Sequence, residues 1–189
     1  DNVEPQGNGV FRCGLSNKDL ESRICEFAPD VIGVSCMFTP RFNNVVEIAR
    51  IAKNISAGIK VVIGGMHASV CPQETLKEKA VDFIIMGEGE IPFYELLKRL
   101  DSGEGDFSSI DGIGFRNGND FFINPERSFV GELDTLPFPA RDLLHLEEYF
   151  RKNIRRDSLT AECRHTSLIT SRGCPYDCSF CSVTKMFGR

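Results

Sequence analysis

Three cysteines, Cys174, Cys178 and Cys181, stand in the spacing CxxxCxxC within the stretch TSRGCPYDCSFC at 170–181. Gly173 and Pro175 flank the first thiol, and Phe180 precedes the last. Glycine and proline bend the backbone where a helix or strand would splay the side chains, so the sulfurs can converge on one metal centre. Iron–sulfur clusters are held by thiolates at close spacings of this kind. Three thiolates are one fewer than a closed four-iron cluster takes, which leaves one iron open to another ligand. A tetrahedral zinc site using the same thiolates with Cys163 or His165 is the competing reading. Paired CxxC knuckles are commoner for zinc, so the spacing favours the cluster.

The elements that must carry this loop are legible upstream. After a Gly-, Asn- and Pro-rich lead-in over 1–15, with Val10–Cys13 as a short edge strand, Ser16 reads as the N-cap of a helix. Leu20, Ile24 and Phe27 are spaced for one buried face, and Pro29 lies beyond its end. Short apolar runs at Asp30–Ser35, Lys60–Ile63 and Phe83–Met86 read as buried parallel strands. Helical periodicity between and after them covers Asn43–Ile55, Gln73 to about Lys79, and a segment placing Phe93, Leu96, Leu97 and Leu100 on one stripe. Alternating strands and helices predict an α/β domain over 1–105, an open, mostly parallel Rossmann-like sheet. Three strands make a thin sheet of this type, and further members are expected before residue 1.

From Asp101 the character changes. Ile110–Arg116 and Asp120–Ile123 flank Asn117-Gly118, a type I′ hairpin signal. The segment 106–160 is read as a linker holding this hairpin and a short amphipathic helix at Asp142–Phe150. Thr166–Thr170 is predicted as a strand feeding the cysteine loop, within a third unit over 161–189.

The 189 residues carry a net charge of −5, which argues against a broad nucleic-acid surface. Arg151, Lys152, Arg155 and Arg156 read as one solvated helix face. No apolar run approaches the ~20 residues needed to span a bilayer. Eight cysteines without a secretory signal predict a reducing cytoplasm and metal chemistry rather than a disulfide framework. The first residue is not Met and the chain stops soon after Cys181, so a piece of a longer protein is expected, catalytically inert by itself.

In open α/β sheets, ligands bind beyond the carboxyl ends of the strands. Those ends carry Ser35-Cys36-Met37, Gly64-Gly65-Met66-His67 and Gly87-Glu88-Gly89-Glu90. Glycines there let backbone approach a bulky ligand, and helix N-termini offer free N–H groups.

The succession PDVIGVS, GGMHAS, DFIIMGEGE, IDGIGFR, LPFPARDLL and TSRGCPYDCSFC resembles, along nearly the whole chain, the N-terminal half of the cobalamin-binding radical S-adenosylmethionine (SAM) proteins. That group includes radical C-methyltransferases and the anaerobic magnesium-protoporphyrin IX monomethyl ester oxidative cyclase. The resemblance implies a 4Fe-4S cluster on Cys174, Cys178 and Cys181, whose open iron chelates SAM, with Phe180 at the family's aromatic SAM-side position. It implies that one electron splits SAM into methionine and a 5′-deoxyadenosyl radical. It further implies that Ser35, Gly64, Gly65, His67, Gly87 and Glu88 surround the nucleotide tail of a cobalamin. The intact enzyme would then transfer methyl to a carbon or close a ring oxidatively on a small-molecule substrate, with electrons from a donor such as a flavodoxin or ferredoxin. No Asp-x-His-x-x-Gly loop is present to ligate cobalt from below. Two other readings remain. Cys13, Cys36 and Cys71 could hold a second cluster, as in radical SAM methylthiotransferases, or the chain could be a non-catalytic cobalamin-binding module. The residues identify no general acid or base.

Overall fold

The computed structural model describes residues 3–7, 10–147, 150, 164 and 166–189. The basic run at 151–156, Cys163 and His165 lie outside the described residues, as does part of the helix read at Asp142–Phe150. Its start, Arg141–Leu143, is a single 3-10 turn.

The lead-in is more regular than expected. β1 (Val3–Gly7) and β2 (Val10–Cys13) pair antiparallel as a separate two-stranded sheet. α1 (Asn17–Phe27) starts where Ser16 accepts a hydrogen bond from the amide of Asp19, the capping geometry its sequence calls for. It ends at Ala28, whose φ of 48° turns the chain into the left-handed region. Ile24 is buried, but Phe27 is 83% exposed, because no following turn carries the apolar stripe onward.

β3 (Val31–Ser35), β4 (Lys60–Gly64) and β5 (Phe83–Ile85) pair in parallel in that order. α2 (Phe42–Ile55) makes the first crossover. The second is made by two short helices, α3 (Met66–Val70), which periodicity did not reveal, and α4 (Pro72–Lys77). α5 (Glu90–Ser102) follows β5, with Pro92 near its start and Gly103 at its end in a left-handed conformation.

Alternate residues of β4 feed two cores. Val61 and Ile63 pack with Val45, Ala49 and Ala52 of α2 and with Leu76 of α4. Val62 faces the other way, with Phe83, Ile85, Leu96 and Phe115. This two-sided burial is why the parallel strands read as unbroken apolar runs.

The hairpin is not a linker. β6 (Ile113–Asn117) lies antiparallel against β5, and β7 (Asp120–Ile123) extends the edge, giving the order β3-β4-β5-β6-β7. The sheet thus reaches five strands from within the chain. Burying Ile113 and Phe115 against β5 and Phe107 is what draws the hairpin in. Asn117 pairs with Asp120, so the loop residues are Gly118 and Asn119. Of the two only Gly118 has positive φ, at 62°, which excludes the type I′ turn expected from Asn117-Gly118.

Thr166–Thr170 carries no strand, because no other described strand lies beside it to form a ladder. The last element, α6 (Val183–Phe187), packs against α3 of the sheet domain. Among the described residues no helix is long and apolar enough to cross a membrane.

Candidate cofactor groove and cysteine loop

The parallel register places Ser35 beside Gly64, with Ile63 beside Ile84, so the three strands end together. The loops leaving them bound an open groove of about 450 Å³. It is lined by Gly33, Val34 and Ser35 of β3 and Met37 just beyond it, by Val62 and Gly64 of β4 and Gly65 just beyond it, and by Ile85, Gly87, Gly89, Glu90 and Phe93. Met186, from the far side of the cysteine loop, completes the wall.

The first two loops are stitched together by backbone. Cys36 N donates to Gly64 O at 2.8 Å, and His67 N donates to Cys36 O at 3.0 Å. Gly65, with φ of 91°, passes so close that a β-carbon would lie 2.9 Å from the Cys36 carbonyl oxygen. Gly64 is different: nothing lies within 4 Å of where its β-carbon would be. Its missing side chain leaves open space rather than easing a contact.

A serine that sequence reasoning passed over ties the third loop in. Ser69 Oγ accepts from Gly87 N at 2.9 Å and lies 3.0 Å from Gly65 O and 3.5 Å from Met186 Sδ. Ser69 closes the GGMHAS stretch, but nothing in that stretch announces its role, since its partners Gly87 and Met186 come from distant segments.

Ser35, Gly64, Gly65 and Gly87 meet at the groove, but His67 and Glu88 do not line it. His67 is wholly buried, its Nδ1 3.1 Å from Thr39 Oγ1 and its ring centroid 4.2 Å from that of Phe42. Its Nε2 has no hydrogen-bond partner. Burial lowers its pKa, with the charge of Glu74 opposing in part. Glu88 is also committed: Oε1 takes Arg172 Nη1 at 2.6 Å and Oε2 takes Val130 N at 2.6 Å. Both oxygens are engaged within the protein.

Arg172 is the second residue the motifs did not single out. Besides Glu88 it pairs with Glu90, and its guanidinium lies 5.7 Å from the centre of the Phe187 ring. Hydrogen bonding to Glu90 is the main reason its pKa is raised. Burial pushes the Glu90 carboxyl up, but hydrogen bonds from Arg172 and its own backbone, with Coulomb attraction, hold it below the usual carboxylate value.

The cysteine loop folds back on the end of the chain. Cys174 N donates to Gly188 O at 3.2 Å, and Gly173, with φ of 89°, approaches the Arg189 backbone. Cys174 is half-buried; Cys178 and Cys181 are exposed, and all three are free thiols. Among the described residues no three Cys, His, Asp or Glu side chains are gathered closely enough to hold a metal ion. The donor chemistry nevertheless suits an iron–sulfur cluster, three unpaired thiols on one loop. Phe180 is 90% exposed beside them. The Cys36 and Cys71 thiols both have raised pKa values, chiefly from burial. The side chain of Cys13 lies outside the description.

The groove suits a bulky ligand at the strand ends, its space kept open at Gly64, where a side chain would otherwise project. Comparison with known proteins agrees. The B12-binding domain family matches residues 9–97. An uncharacterized methyltransferase of Pyrococcus horikoshii is 32% identical over 176 residues, 93% of this chain, which spans 36% of that protein's length. The cobalamin-dependent radical SAM methyltransferase TokK of Streptomyces tokunonensis is 32% identical over 81% of the chain and 22% of its own length. The anaerobic magnesium-protoporphyrin IX monomethyl ester cyclase of Rubrivivax gelatinosus is 28% identical over 92% of the chain and 30% of its own. In three dimensions the chain shares the fold of the cobalamin-dependent SAM radical enzyme OxsB, solved with aqua-cobalamin and SAM bound. The TM-score is 0.56 at 20% identity, over 69% of this chain and 18% of that one. With the B12-binding match over residues 9–97 and relatives aligned over 81–93% of its length, the chain belongs to the cobalamin-binding radical SAM family.

Proposed function

We propose that this chain is the cobalamin-binding part of a radical SAM enzyme together with the loop that holds its cluster. One observation carries the reading: a glycine-lined groove at the ends of three parallel strands has the cysteine loop docked on its rim through Arg172 and Met186. On this reading the family's two cofactor-bearing motifs would share one site.

Ser35, Gly64, Gly65 and Gly87 would flank the nucleotide tail, Gly64 keeping space for it and the serine offering a hydroxyl. The domain division, sheet to about residue 105, connecting segment to 160 and cluster-bearing unit from 161, belongs to the same proposal, with the hairpin now part of the sheet. Cys174, Cys178 and Cys181 would hold the cluster, with exposed Phe180 beside SAM. Bound there, cobalamin supplies a transferable methyl group and the cluster supplies the electron that cleaves SAM. The chain's own task is to position them: the stitched β3 and β4 loops fix the groove, and the Arg172 pairing fixes the approach of the loop. The intact protein is proposed to methylate a carbon of a small molecule, in keeping with the methyltransferase names among its relatives, drawing electrons from a flavodoxin or ferredoxin. A reducing cytoplasm fits its unpaired thiols.

The test is the intact protein purified without oxygen. Uptake of hydroxocobalamin, followed by corrin absorption, and cleavage of SAM to 5′-deoxyadenosine are the expected results. Uptake of neither corrinoid nor iron would overturn the reading.

A further inference from the structure

Arg172, two residues before the first cysteine, has no thiol to offer, yet it bridges two carboxylates more than eighty residues away in sequence. Its guanidinium is forked between Glu88 and Glu90, and its side chain is 19% exposed against 6% for Glu88. Glu88 lies in the loop that leaves β5 and Glu90 opens α5, a stretch that lines the groove through Gly87, Gly89 and Glu90. A solvated surface pair contributes little, but an ion pair this shielded leaves a costly unpaired charge when either partner is removed. The loop is also held from its other side. Met186, 8% exposed, reaches Ser69 Oγ, the same hydroxyl that accepts from Gly87 N. Arg172 before the thiols and Met186 after them thus grip one turn of backbone, Gly87–Glu90.

We infer that Arg172 is a positioning residue whose pairing with Glu88 and Glu90 makes the order of the cysteine loop depend on that of the groove, and the reverse. The inference rests on the cobalamin reading of the groove. A ligand that settles the Gly87–Glu90 loop steadies the arginine, and a cluster that gathers the thiols steadies the carboxylates. Linkage requires the two effects to be equal in size.

The test uses the intact protein, kept anaerobic, with and without its reconstituted cluster. The dissociation constant for hydroxocobalamin is read from corrin absorption in each state. In the unaltered protein the cluster is expected to tighten cobalamin binding by about fivefold or more, the lower range of allosteric coupling. Arg172→Met and Glu88→Gln should each bring that ratio to within about twofold of unity, and the double variant should be no worse than either. Arg172→Lys keeps the charge but loses the fork, and should recover part of the ratio. Iron content and circular dichroism are measured on every variant. If Arg172→Met or Glu88→Gln loses its fold or cluster, Glu90→Gln replaces it, because that carboxylate is 42% exposed. Its ratio should fall by about half or more. A ratio near unity in the unaltered protein, or one unchanged by these substitutions, overturns the inference while leaving the cobalamin site standing. Failure to bind cobalamin in either state overturns both.

Discussion

The amide of Gly87 donates to Ser69 Oγ at 2.9 Å, tying the loop after β5 to the helix after β4. Ser69 is 3% exposed, so the partner it provides cannot be replaced readily by water. Ser69→Ala should therefore cost about 1–3 kcal/mol, the penalty for leaving a buried N–H unpaired. Urea unfolding of the variant measures it, and Ser69→Thr should recover part of the loss.

The two adjacent glycines of β4's exit should behave in opposite ways. Gly65→Ala forces a side chain into a positive-φ site against the Cys36 backbone, and should destabilise by about 2–3 kcal/mol. Gly64→Leu meets nothing within 4 Å of its new β-carbon and projects into the groove. Its melting temperature should change little while corrinoid affinity falls by about tenfold or more, a loss of about 1.4 kcal/mol. Thermal unfolding and corrin titration on the same two variants separate folding from ligand binding.

His67 sets a pH dependence. Its pKa is lowered in the folded chain, so between that value and the ordinary imidazole value of about 6.5 the unfolded chain binds the extra proton. Stability from this group is complete above about pH 6.5 and is lost as pH falls below it. His67→Leu should flatten the fall of the unfolding free energy as pH drops below about 6.5. Denaturant melts across that range would reveal it, and an unchanged slope would rule out the histidine as its source.

Cys174→Ala, Cys178→Ala and Cys181→Ala should each abolish cluster assembly in the intact protein, since two thiolates do not hold a cluster built for three. Iron and sulfide analysis after anaerobic reconstitution is the measurement. Cys36→Ala and Cys71→Ala should leave iron content unchanged, and a drop in either would revive the second-cluster reading.

The strands, α1, α2 and α5 were legible because their causes are local. Ser16 caps a helix from three residues away, apolar periods repeat within one element, and Cys174, Cys178 and Cys181 declare themselves by spacing. The likeness of the strand-end glycine loops to a cobalamin domain was readable for the same reason. Tertiary structure alone decided what those loops face. Glu88 and Arg172 are 84 residues apart, and nothing in either segment marks the other as its partner. His67 turns inward to Thr39 and Phe42 because an aromatic neighbour and a hydroxyl wait there, not because of its place in GGMHAS. The hairpin joined the sheet because Phe115 and Ile113 found apolar surface on β5. Local sequence determines which elements and donor groups exist; burial and charge pairing between distant segments determine which of them share a site.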